Sequence, residues 1–139
     1  MTYIPVVLRR EVIARARNCC EYCLLNVNDH VFPFEIDHIT SEKHLGLTES
    51  ENLCLSCYDC NNAKGSDVAA ADPLTKLATF LFHPRKQRWK DHFRLHGAGI
   101  EPLTPEGRVT VFLLKLNDAE RVIDRAGLIR LERYPCELI

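Results

Sequence analysis

Five residues between positions 37 and 64 carry side chains suited to one reaction: Asp37, His38, Asn52, Asn61 and Lys64. Hydrolysis of a phosphodiester needs an activated water, neutralisation of the attacked phosphate and stabilisation of the leaving oxygen. An imidazole takes a proton from water near neutral pH, so His38 is the candidate general base. Asp37 offers a hard oxygen ligand for Mg²⁺ or Mn²⁺, and Asn61 can add a neutral amide oxygen to the same ion. Asn52 can fix the His38 ring or stabilise its loop, and Lys64 can offset phosphate charge. Each residue alone has an ordinary use as a surface His, a capping Asp or Asn, or a solvated Lys. Their order among two cysteine pairs makes the joint reading stronger than any single one.

Those pairs are Cys20-x-x-Cys23 and Cys57-x-x-Cys60. A single such pair is shared with redox motifs, but two supply the four soft ligands of a closed tetrahedral zinc site. Four protein thiolates leave no open coordination position, so the expected role is structural. Cys19 and Cys54 are rival ligands. Cys57 and Cys60 are preferred because Leu53-Cys54-Leu55 reads as an apolar segment in which Cys54 is a small buried hydrophobe. Cys136 stands alone and is expected to have no function. Residues 1–8 show no basic start followed by a long apolar run, and no stretch of about 18 apolar residues suggests a membrane span. Metal thiolates in a reducing cytoplasmic setting therefore fit better than disulfides.

The elements that must position these groups follow from periodicity. Residues 1–8 read as an extended lead-in and 9–19 as a helix with Val12, Ile13 and Ala16 on its apolar stripe. Its arginines either reach a phosphate or populate a solvated face. Phe32, Phe34, Ile36 and His38 alternate with Glu35 and Asp37, predicting a strand that delivers Asp37 and His38 at its far end. Adjacent strand residues point to opposite faces, so both reach one pocket only if the strand end is strained or bulged. The chain returns through Leu47–Leu53, and a helix is expected from Tyr58 through Lys64. Asp72-Pro73 predicts a helix start with Leu74, Leu77 and Ala78 on one face. Trp89 and Phe93 are expected inside. A hairpin should turn near Gly97-Ala98-Gly99, a helix should start at Thr104-Pro105, and Asn117 or Asp118 should cap a last helix whose Val122, Ile123, Ala126 and Ile129 face the fold. Residues 135–139 read as a tail.

A chain of 139 residues with a net charge of −1 is one domain by default, and a metal helps stabilise a modest core of this size. The near-zero charge argues against indiscriminate coating of DNA, but its distribution is uneven: residues 61–94 hold seven Lys or Arg against three Asp or Glu. Arg85, Lys86, Arg88 and Lys90 form either a phosphate footprint or a solvated basic edge.

Taken together, Cys20-x-x-Cys23, Phe34-x-x-Asp37-His38-Ile39, Glu51-Asn52-Leu53 and Cys57-x-x-Cys60-Asn61-x-x-Lys64-Gly65 resemble the HNH endonuclease family of the ββα-metal nuclease class, in its four-cysteine zinc-stapled branch. The resemblance covers about residues 9–66. Pro84-Arg85, Trp89, His92-Phe93, Gly107-Arg108 and Leu116-Asn117 resemble the extension of small bacterial HNH proteins. It implies an α+β fold: a small ββα-metal core with structural zinc, an N-terminal helix, and a helical and hairpin extension over about 67–139. It further implies His38 as general base, Asp37 as ligand of the catalytic divalent ion, Asn52 as the residue orienting the active loop, and Asn61 where many members carry histidine. The implied activity is hydrolysis of DNA, expected as duplex and with RNA left open, to 5′-phosphate and 3′-hydroxyl ends. A zinc-bound nucleic-acid-binding protein with little or no cleavage is the alternative.

Overall fold

Pro5 sits just before the first helical turn, where its missing N–H costs nothing, and the first helix, α1, spans Val6–Ala16. The computed structural model describes residues 2–137; Met1 of the expected lead-in and Leu138 and Ile139 of the expected tail lie outside the described residues. The helix thus starts inside the stretch expected to be extended, and it stops at Arg17, which adopts a left-handed conformation with φ 55°. Leu8, Val12 and Ala16 recur every four residues and pack with Ile4 against Leu53 and Leu55. Ile13, expected on that stripe, is exposed.

Two short strands follow. β1, Glu35–His38, pairs antiparallel with β2, Leu53–Ser56, so that Asp37 faces Cys54 and His38 faces Leu53. The period-two pattern began earlier, but Pro33 has no N–H to give a ladder and the strand starts after it. β2 is buried throughout. Helix α2, Tyr58–Lys64, comes next, with the Cys57 sulfur capping its first turn by accepting from Cys60 N.

The extension begins with a correction. No helix starts at Asp72-Pro73; strands β3, Ala69–Ala71, and β4, Ala78–Phe80, form a hairpin there. Asp72 is buried and accepts from Leu74 N and Thr75 Oγ1, local bonds that compete with helix formation. Arg108 grips both of its oxygens at 2.8 Å and holds its carboxyl below the usual range. Leu74 and Leu77, the expected apolar face, lie exposed.

The remaining elements follow the expected order. The single-turn helix α3, Trp89–His92, leads into hairpin β5–β6, Phe93–His96 and Gly99–Pro102. Gly97 supplies the positive φ of 59° at the turn. Helix α4, Pro105–Leu113, is capped by Thr104 Oγ1 on Gly107 N, and helix α5 spans Ala119–Arg130. The inward face of α5 departs from expectation: Ile123 and Ile129 are exposed, whereas Arg125 is buried and donates to the Ala98 and Leu116 carbonyls. One apolar cluster joins Tyr22, Leu25, Ile39 and the core cysteines to Phe82, Phe93, Ile100, Val109, Leu114 and Leu116. The extension and the cysteine knuckles therefore share a core.

Cys136 is not isolated. It forms a disulfide with Cys19 across a sequence separation of 117 residues, with a Cα–Cα distance of 5.7 Å. The expectation of no disulfide rested on metal use of the cysteines, yet Cys19 lies outside the four-sulfur cluster and Cys136 N bonds to the Leu24 carbonyl, which brings the tail back to the first knuckle. Closing so large a loop contributes about 2–4 kcal/mol. Reductant should lower the urea-unfolding free energy of the parent by that amount and leave Cys136→Ser unchanged. Equal parental stability with and without reductant would show that the bond is not formed in solution.

Candidate active site and zinc centre

The sulfurs of Cys20, Cys23, Cys57 and Cys60 lie within 4.8 Å of one another, and all four residues are buried. Cys23 Sγ and Cys57 Sγ are 3.7 Å apart. A tetrahedron of sulfurs about 2.3 Å from zinc has edges of about 3.8 Å, so the donor set fits that ion. Cys23 N points at Cys20 Sγ and Cys60 N at Cys57 Sγ, so each knuckle turns an amide toward a sulfur. The thiols of Cys23, Cys57 and Cys60 differ in how readily each gives up its proton. Hydrogen bonds from Cys20, then Cys57 and Cys60, hold Cys23 well below the thiol range. Burial pushes Cys60 up, and hydrogen bonding with Cys20 pushes Cys57 up. A divalent cation bound there would take all four as thiolates. Cys54 stays outside the cluster, buried with its sulfur 3.5 Å from Tyr22 Oη and 3.7 Å from Asp37 Oδ2.

Tyr22, inside the first knuckle, connects this centre to β1. Its hydroxyl donates to Asp37 Oδ2 at 2.8 Å, and Lys64 Nζ donates to Asp37 Oδ1 at 3.2 Å and to the His38 carbonyl at 3.0 Å. Lys64 and Asp37 side chains are 1% and 5% exposed. Burial raises the Asp37 carboxyl above its ordinary range, while Lys64 and Tyr22 pull it back. Two expectations change here. Lys64 lies beneath the strand as an internal counter-ion, not at the surface against phosphate. Asp37 is turned inward with both oxygens engaged, an arrangement that does not fit a ligand waiting for a divalent ion. No bulge brings Asp37 and His38 to one side, because the β1–β2 register is regular.

His38 lies on the other face of β1, half-buried, with Nε2 2.9 Å from Thr48 Oγ1. The loop between the strands is clamped by Asn52. Its Oδ1 accepts from Thr40 N, and its Nδ2 donates to the Thr40 and Leu47 carbonyls, each at 2.9 Å. Gly46 makes that closure feasible, because a Cβ there would stand 1.8 Å from the Thr40 carbonyl oxygen and 2.9 Å from Asn52 Nδ2. Arg15 anchors the same loop by donating to Ser50 Oγ, Ser50 O and Leu53 O. That arginine is spent on structure. Asn61 is half-buried on α2, three residues before Lys64.

The basic run divides. Lys86, Arg88 and Lys90 are exposed, whereas Arg85 is paired with buried Glu21 in the first knuckle and is 9% exposed. Arg85 is thus withdrawn from the expected phosphate footprint; Glu21 also accepts from Leu55 N, so the pair fastens the knuckle to β2. Trp89 Nε1 donates to the Tyr22 carbonyl from the next turn of chain. Tyr22, Glu21 and Thr48 carried no readable signal, since each acts through a partner ten or more residues away.

A β-hairpin followed by a helix, with four buried cysteines at its base, is typical of the zinc-bound HNH fold. Residues 20–67 match the family described as HNH endonuclease, and this segment belongs to it. Over 118 residues, 84% of this chain, the sequence is 21% identical to the Septu protein PtuB of Bacillus thuringiensis. The match spans 43% of that relative, less than half of its length. No solved structure matches. Among the described residues no helix is long and apolar enough to cross a membrane.

Removing one member of a buried ion pair strands the other charge, at a cost of about 3–5 kcal/mol. Lys64→Met should lose that much in urea unfolding, and adding Asp37→Asn should restore most of it. A single variant as stable as the parent would refute the pairing.

Proposed function

We propose that the chain is an endonuclease that hydrolyses DNA phosphodiester bonds with His38 as general base. The observation that carries the reading is the position of His38 within the HNH segment: at the end of β1, its ring on Thr48, beside a loop clamped by Asn52. A water approaching the free ring nitrogen gives up its proton as it attacks phosphorus, and the fixed ring lowers the entropic cost of that alignment. Asn52 serves as a positioning residue. The half-exposed Asn61 lies on the helix that would face the backbone, and Lys86, Arg88 and Lys90 offer phosphate contacts that position without reading bases.

Magnesium, manganese or another divalent ion is the cofactor the family implies. Its use of Asp37 requires the carboxylate to leave Lys64 and Tyr22. That closed carboxylate favours a second reading, a zinc-bound nucleic-acid-binding protein with little or no cleavage. We take residues 1–139 as a single nuclease domain, with the core over about 9–66 and the extension over 67–139, because one apolar cluster runs through both. Duplex DNA is the preferred partner. A reducing cytoplasm suits the four thiolates required for zinc, with Cys19–Cys136 the one pair that oxidation closes.

The test uses supercoiled plasmid with the zinc-loaded protein, with and without added Mg²⁺ or Mn²⁺. Cleavage should fall at least about 100-fold in His38→Ala with zinc content retained, the scale of a lost general base. Equal cleavage by variant and parent would sink the assignment. Binding without cleavage under every ion would establish the second reading.

A further inference from the structure

Arg121 is the one side-chain cation, among the described residues, hydrogen-bonded to the four-sulfur cluster. Its Nη2 is 3.0 Å from Cys60 Sγ and 3.9 Å from Cys57 Sγ, while Nη1 donates to the Leu114 and Lys115 carbonyls at 2.7 and 3.2 Å. The guanidinium is thus held by the end of α4 and aimed at the second knuckle. It belongs to α5, outside residues 20–67. We propose that Arg121 is a positioning residue of the zinc centre, compensating its charge and shielding its thiolates.

Zn²⁺ with four thiolates carries two net negative charges. Buried, that charge needs donors, and the amides of Cys23 and Cys60 supply only neutral ones. Arg121 adds a full positive charge at the sulfur of Cys60. It also lines two surface cavities, of about 330 and 500 Å³. The smaller is bordered by Cys23 and the larger by Asp59 and Asn62 of α2. The guanidinium therefore borders solvent on one side and the Cys60 sulfur on the other. Partners of metal ligands commonly govern affinity by 10–100-fold, roughly.

The inference rests on the zinc reading, and the two fail separately. Parental protein without zinc would fail the zinc reading. With zinc bound, the full chain is challenged with excess EDTA and metal departure is followed by a colorimetric indicator. Arg121→Gln should release zinc about tenfold faster, with Arg121→Lys nearer the parent. In the Co²⁺-loaded protein the thiolate-to-metal band of Arg121→Gln should move to longer wavelength, since a thiolate without its cation yields an electron more easily. Leu128→Ala, which loosens the same helix without removing the charge, should leave the band in place. Parental release and band position in Arg121→Gln would overturn the proposal, as would an equal band shift in Leu128→Ala. Should Arg121→Gln not fold, Arg121→Lys decides: release within a few-fold of the parent supports the role of charge, and release far faster refutes it.

Discussion

Four thiols gathered within 4.8 Å in a buried centre are placed to hold one cation, and much of the structure depends on that convergence. The sulfurs arrive from two knuckles separated by the whole β1–β2 hairpin. Joining them sets α2 against β1, and with it the reach of Lys64 to Asp37 and to the His38 carbonyl. The first knuckle delivers Tyr22, whose hydroxyl meets the same carboxylate and whose carbonyl accepts from Trp89. Loss of the metal would therefore reach the candidate active site through defined bonds.

A centre of this kind is needed because there is little else of scale. Among the described residues there are three separate two-stranded sheets, none able to form an extended layer. What binds the halves is apolar contact around the knuckles, reinforced by the Arg85–Glu21 pair and by the Cys19–Cys136 bond. The extension contributes to the site from behind: Trp89 fixes a knuckle, and Arg121 reaches the sulfurs.

The sequence makes the metal ligands legible because spacing within a knuckle is local. Cys20 and Cys23, or Cys57 and Cys60, report their geometry over a single turn of chain. The helix after Cys57 was legible for the same reason. What escapes are groups whose partners lie far along the chain. Arg121 reads as one more surface cation on an amphipathic helix, and nothing local links it to Cys60 across 61 residues. Arg85 and Lys64 looked available for phosphate because their acidic partners, Glu21 and Asp37, lie 64 and 27 residues away. Asp72-Pro73 carried a valid helix-start signal, which lost to side-chain bonds at the turn and to Arg108. Cys136 gave no sign of Cys19, since pairing in a disulfide cannot be read from spacing.

The opposed faces of β1 give the candidate site its particular character. Regular pairing sends Asp37 inward and leaves His38 near the loop, so the two groups cannot share a pocket through the strand alone. Lys64 bridges them differently. One ammonium neutralises the carboxylate and also holds the carbonyl of His38, fixing the backbone from which the imidazole projects. A buried pair of this kind contributes little net stability against apolar alternatives, but it resists displacement because either charge left alone is costly. It therefore suits the role of a rigid mount. For Asp37 to serve an ion as well, the ion must supply the charge compensation that Lys64 now gives, and Lys64 must find another acceptor or leave its buried position. Any cation taken up at Asp37 would thereby be coupled to the mounting of His38 through a single side chain.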